Sequence, residues 1–208
     1  AVKGVDSLYT RIDKATFDSV GNLWILNAGS VPYPIVCLDT NKTWHGLPIF
    51  INNERRNLIT PSGFVIDTFH PNYKWIANAR VQVEIILIDD NGTPFDSSDD
   101  RAIGRNNWTT QKGQLFTPET ILSIIQDSKG RIWMATDQRI AIIDTIDYFT
   151  NDHCIRPEVM DNNGTNPMTS LRIEALCLDT KGQIWVGTQT MGVYVLNEKP
   201  PSNTAQKT

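Results

Sequence analysis

The chain has 208 residues, of which 40% are hydrophobic and 20% charged, with a net charge of −4. This is the composition of a globular protein with room for one large domain or two small ones. The acidic balance excludes a nucleic-acid binder working through a broad basic face, and the longest apolar run, "VQVEIILI", is strand-sized and carries a glutamate, far short of the ~18–20 residues that span a bilayer.

In chain order, the first strand-like run is "DSLYTRI", an outer strand of an earlier sheet or a closing strand. The turn Asp18-Ser-Val-Gly21 follows and leads into a strand carrying Trp24. "PIVCLD" (34–39) reads as the next strand, and "KTWHGL" as a fourth after the turn at Thr40-Asn41. After the long link 47–62 the order begins again. "FVIDTF" (64–69) leads to "HPNYKWIANA", a degenerate turn with Trp75, one residue shorter than the first and with Tyr73 where glycine is expected. "VEIILID" (83–89) follows. Beyond the link 101–120 come "ILSII" (121–125), the turn Asp127-Ser-Lys-Gly130, "IWMAT" with Trp133, and "IAIID" (140–144). The link 148–171 precedes "IEALCL" (173–178), the turn Asp179-Thr-Lys-Gly182, "IWVGT" with Trp185, and "VYVLN" (193–197). The last residues, 198–208, read as a linker or tail.

The order strand, D-x-x-G, apolar-Trp strand, strand thus occurs four times, with intervals of 51, 58 and 52 residues between tryptophans. The aspartate can accept bonds from amides ahead of it, and the glycine supplies the positive φ that closes a tight hairpin. Strands such as "EIILI" and "IAII" are apolar on both faces, which a lone antiparallel sheet with one wet face does not require. Sheets stacked face to face do, and a period near 50 residues with strand content means β-propeller blades. The expected fold is all-β: about four antiparallel blades over residues 1–197, part of a larger propeller. Trp24, Trp75, Trp133 and Trp185 are expected to be buried wedges between blades. Asp18, Gly21, Asp127, Gly130, Asp179 and Gly182 are expected to be structural elements of the turns rather than chemical groups.

Chemistry-bearing patterns are sparse. Cys37, Cys154 and Cys177 cannot all pair, and no C-x-x-C occurs, so neither zinc nor a disulfide framework is indicated. His45, His70 and His153 lack metal-ligand spacing, and no G-x-S-x-G, H-E-x-x-H or P-loop pattern is present. No catalytic residue, metal or cofactor is expected. The loop Asp89–Asp100 holds five aspartates, which suits either a calcium loop or an Asn-Gly hairpin followed by a solvated acidic loop. The rim opposite the D-x-x-G turns carries the links and is the expected binding side. Trp108, Arg101 and Arg105 cluster in one link and, with Arg80 and Arg139, are the expected ligand-binding residues.

"ILSIIQDSKGRIWMATDQRIAIID" and "IEALCLDTKGQIWVGTQTMGVYVLN" resemble two-component regulator propeller repeats, I-x-x-I-x-x-D-x-x-G-x-[IL]-W-[IV]-G-T-x-x-G-[IL], with departures at Ala135 and Arg139, where that pattern has glycine. Such repeats fill the periplasmic sensor halves of hybrid two-component receptors, mostly in Bacteroidetes, and also occur in PorZ-like proteins of type IX secretion. "NGTPFDSSDDR" and "FDSVGNLWILN" are more similar to the latter group. The resemblance implies a non-catalytic propeller, periplasmic or at the cell surface, acting as the ligand-sensing region of a two-component regulator of the hybrid histidine kinase type. The alternative is an interaction scaffold of the type IX secretion or envelope machinery, and more distantly a carbohydrate-active propeller enzyme. Expected partners are a glycan or another envelope protein, together with the rest of the parent propeller or a second copy.

Overall fold

A computed structural model of the chain describes residues 11–29, 32–110, 112–143, 148–155, 159–160, 168, 171–197 and 203–207. Every element among them is a β-strand, arranged in two compact units, 1–105 and 106–208.

The first unit holds two four-stranded antiparallel sheets. Sheet one runs β1 (Arg11–Phe17), β2 (Leu23–Ala28), β3 (Ile35–Leu38) and β4 (Trp44–Leu47), so that the four strands expected there are present. A hairpin of β5 (Ile49–Ile51) and β6 (Glu54–Arg56) occupies the following link. Sheet two runs β7 (Pro61–Ile66), β8 (Tyr73–Asn78), β9 (Glu84–Asp89) and β10 (Arg101–Arg105). Trp24, Leu26, Ile35 and Cys37 of sheet one pack against Ile76, Ile86 and Ile88 of sheet two, and all are buried.

The second unit repeats this with additions. Strands β11 (Trp108–Thr110) and β12 (Leu115–Phe116) join β13 (Ile121–Gln126), β14 (Ile132–Thr136), β15 (Ile140–Ile143) and β16 (His153–Ile155) in one six-stranded sheet, where β11 pairs in parallel with β16. The last sheet contains β17 (Val159–Met160), β18 (Ile173–Leu178), β19 (Gln183–Thr188), β20 (Val193–Asn197) and β21 (Asn203–Lys207). Strand β21 corrects the reading of 198–208 as a linker or tail, since 205–207 pair antiparallel with β20 and 203–204 in parallel with β17. Composition pointed to a tail because the segment has no large apolar residue, but an outer strand needs only backbone pairing.

Packing between sheets explains why strands are apolar on both faces. Trp133, Ala135, Ile140 and Ile142 lie on one face of the third sheet and pack against Ile173, Leu176, Ile184, Val186, Tyr194 and Leu196 of the last. The strand that leads into each motif turn, β1, β7, β13 and β18, carries a register shift at its start, between Ile12/Lys14, Pro61/Gly63, Ile121/Ser123 and Ile173/Ala175. One bulge per copy bends each such strand in the same way.

Two expectations need correction. Trp24, Trp75 and Trp133 are 1%, 0% and 2% exposed, but Trp185 is 38% exposed, so the fourth wedge is not buried. In the second copy the aspartate is Asp67, whose amide donates to Tyr73 O at 3.0 Å, as Asp18 N does to Asn22 O and Asp127 N to Arg131 O. Its turn is therefore two residues longer than the others, not one shorter, and Tyr73 occupies the place of Asn22 and Arg131 rather than that of a glycine.

Candidate functional site

The four motif aspartates do the same thing. The Oδ2 atoms of Asp18, Asp67, Asp127 and Asp179 accept the indole N–H of Trp24, Trp75, Trp133 and Trp185 at 2.9, 3.0, 2.7 and 3.0 Å. Their Oδ1 atoms accept turn amides: Val20 and Asn22 for Asp18, Phe69 and His70 for Asp67, Lys129 and Arg131 for Asp127, Lys181 and Gln183 for Asp179. Each carboxylate closes its turn and fixes the ring behind it. Glycine is needed inside the short turns, where Gly21 and Gly130 sit at φ of +94° and +82°. Burial raises the pKa of Asp18, but bonds from Trp24, Asn22 and Val20 outweigh it and hold the carboxyl below its ordinary value. The Trp185 indole, with the Gln183 and Lys181 amides, holds Asp179 low as well. These are structural carboxylates with their acceptor capacity in use.

On the D-x-x-G rim of the first unit, a cleft of about 470 Å³ opens between the two sheets. Its lip is Phe17 and Val20, exposed, with Pro71 and Pro94; its floor holds Trp24, Lys74 and Asp90. Lys74 is the unusual member. It stands where the other copies have Leu23, Ile132 and Ile184, yet it is buried and forms an ion pair with buried Asp90. Its ammonium lies 4.6 Å from the centroid of the Trp24 ring, and a desolvated cation over an indole face gains from the ring quadrupole. Asp90 Oδ1 also accepts the Gly92 amide, and Asp90 N donates to Asn72 O, so the turn 67–74 and the loop 89–100 are tied together at the cleft.

The acidic loop is exposed over Asn91–Thr93, Asp96 and Ser98–Asp99, yet most of its carboxylates have partners. Asp89 pairs with Arg101 and Asp90 with Lys74; Asp96 accepts the Ser98 amide; Asp99 accepts Thr93 Oγ1 and Asn91 Nδ2. Phe95 tucks under it, stacked on His45 at 4.0 Å and on Trp24 at 6.3 Å between centroids. Asp100 differs, because burial pushes its pKa up to about 6 against the pull of Lys74, and its Oδ1 has no hydrogen-bond partner. Among the described residues no group of three or more His, Cys, Asp or Glu could hold a metal ion.

The residues expected to bind ligand are not brought together as one cluster. Arg101 and Arg105 begin and end β10, opposite Asp89 and Ile85. Arg101 therefore lies on the D-x-x-G rim, contrary to the expectation, while Arg80 is exposed in the β8–β9 connection at the other end. In the second unit Trp108 is fully buried, so it cannot serve as a surface recognition anchor. Its ring is 6.3 Å from Phe116, whose other neighbour is the Arg139 guanidinium at 4.4 Å. Trp108 Nε1 is buried with no hydrogen-bond partner. The sequence reading passed over Lys74 and Asp90, although a lysine immediately before the wedge tryptophan was a visible signal.

Residues 116–138 and 167–190 match the family model described as two component regulator propeller. No curated protein matches the sequence. Among solved structures, the chain is similar to PorZ, a surface component of the type-IX secretion system of Porphyromonas gingivalis, with a TM-score of 0.72 and 24% identity over 90% of this chain and 26% of that one. An extracellular domain of a hybrid two component system from B. thetaiotaomicron is matched over 93% of this chain and 24% of that, at 19% identity and a TM-score of 0.49. A gluconolactonase from Xanthomonas campestris is matched over 88% and 56%, at 11% identity and a TM-score of 0.54. The chain spans about a quarter of the length of the first two. The likeness to PorZ shows the all-β blade fold.

Proposed function

We propose that this chain, which carries two-component regulator propeller repeats, is a non-catalytic binding region outside the cytoplasm that takes up a ligand for a two-component regulator. The observation that carries this reading is the cleft on the D-x-x-G rim: a concavity of ligand size with an apolar lip and a buried Lys74–Asp90 pair at its floor. No nucleophile–base pair stands in it; Asp18, Asp67 and Asp90 all spend their oxygens on turn amides, indoles or Lys74. Among the described residues no helix is long and apolar enough to cross a membrane, and the similar proteins named above include an extracellular domain and a bacterial surface component.

A second reading, an interaction scaffold of an envelope assembly, is favoured by the PorZ-like fold over nine-tenths of the chain. Calorimetric titration of the full-length protein with a panel of oligosaccharides separates the two. Saturable binding that Phe17→Ala and Val20→Asp abolish, with the circular dichroism unchanged, supports the sensor reading. An absence of binding across the panel, with an envelope protein cross-linked to the chain in cells, supports the scaffold. Binding that survives both substitutions removes the cleft from the account.

A further inference from the structure

The cleft on the D-x-x-G rim of the first unit has a sign as well as a shape. Asp18, Asp67 and Asp90 contribute three carboxylates to its lining, and Lys74 contributes the single ammonium. Lys74 does not offset the surplus, because its ammonium is already committed to Asp90 and to the Trp24 ring. The Asp18 and Asp67 carboxylates are tied to turn amides and indoles, so their charges are fixed in place. A further carboxylate stands at the lip. Asp99 Oδ1 accepts Thr93 Oγ1 at 2.7 Å, and Thr93 lies between Gly92 and Pro94, which line the opening. The thiol of Cys37, cross-strand partner of Trp24, senses the same field. Burial pushes it up to about 12, and Asp18 and Asp39 add to the rise against the pull of Lys74. Around these charges the lip is apolar: Phe17 and Val20 are 66% and 71% exposed, beside Pro71 and Pro94. Charges of one sign between low-dielectric walls focus their field into the opening.

We propose that the ligand of this cleft is an organic cation: a protonated amine carried on an apolar body, its ammonium at the carboxylates of the floor and its body against Phe17, Val20 and Pro71. This rests on the reading of the cleft as the binding site. Asp90 Oδ1 accepts one amide, that of Gly92 at 3.0 Å, and has a lone pair left for an ammonium N–H. Asp18 needs no rearrangement. Each of its oxygens already holds two donors, and its charge acts through space. An anion of the same size meets three carboxylates with no cation to spare, which is a repulsive element built against it. An uncharged ligand gains the apolar lip and nothing from the field.

Phenylbutylamine, phenylbutanol and phenylbutyrate share a body and differ in the charge of the head group. Each is titrated calorimetrically into the full-length protein at neutral pH. The amine is expected to bind about tenfold or more tightly than the alcohol, and the butyrate more weakly than either. Added salt is expected to weaken the amine and leave the alcohol unchanged. Ser19→Lys, at an exposed position lining the cleft, sets a second cation there. It is expected to cost the amine several-fold, to favour the butyrate and to leave the alcohol as it was, with the circular dichroism unchanged. Phe17→Ala is expected to weaken amine and alcohol alike. Alcohol or butyrate binding as tightly as the amine, and lost in Phe17→Ala, overturns the cation and leaves the cleft as the site. Binding of none of the three, or amine binding indifferent to both substitutions, overturns the cleft reading and the cation with it.

Discussion

At the scale of the residue, the aspartate of D-x-x-G is the most heavily used group in the fold. Asp127 is 2% exposed and accepts from the Lys129 and Arg131 amides, the Arg131 guanidinium and the Trp133 indole. Asp127→Ala takes the acceptor from all four donors at a buried site and is expected to destabilise by about 2–3 kcal/mol in urea unfolding, since buried donors left unmet carry their full desolvation penalty. Asp179→Ala, with Trp185 open to water, is expected to lose less. The carboxyls also set the acid response. Asp18 and Asp179 titrate below the ordinary 3.8. The stability they contribute is complete above that unfolded-chain value and is lost as pH falls through their folded values. Asp100 acts in the opposite sense. With a folded pKa of about 6 against 3.8, the folded protein holds a proton that the unfolded chain has released, so stability falls as pH rises across that window. Asp100→Asn is expected to raise the urea midpoint at pH 7 and to flatten its change between pH 4 and 6; an unchanged slope would refute the assignment.

At the scale of the element, the second copy shows how far one strand can depart from its pattern. A lysine in place of an apolar residue in a buried row is tolerable only with a partner, and loop 89–100 supplies Asp90. Lys74→Ala leaves a buried carboxylate unpaired and is expected to cost about 3–5 kcal/mol, whereas Lys74→Leu combined with Asp90→Asn is expected to recover most of that loss. Additive effects in the double-mutant cycle would show that the pair is not coupled. The "WHGL" strand carries a similar local demand: a Cβ on Gly46 would come within 2.7 Å of the Tyr33 ring, which lies against it.

At the scale of the whole molecule, the sheets are units of one stacking rule whose strength depends on what lies on each side. Trp133→Ala removes a fully covered wedge and is expected to cost about 3–5 kcal/mol. Trp185→Ala, at a ring 38% exposed, is expected to cost clearly less. Thermal and urea unfolding of the two variants makes the comparison.

The sequence alone determined the repeat, its strands and the role of its turns, because an aspartate six residues before a tryptophan, with a glycine between, is a local device read from neighbouring positions. Asp18, Asp127 and Asp179 were legible for that reason. It also determined that blades must be covered on both faces, since "IAII" has no polar side to show water. Asp67 was not legible, because two extra residues separate it from Trp75 and only the closed hydrogen bonds identify it. The cleft was not legible either. It lies between strands some fifty residues apart, and the ion pair at its floor joins Lys74 to a loop aspartate that local pattern assigns to solvent. Tertiary structure alone decided which tryptophans are wedges in fact. Trp133 and Trp185 stand in nearly identical sequence, and burial depends on whether another sheet lies across the ring, which no residue near either one encodes.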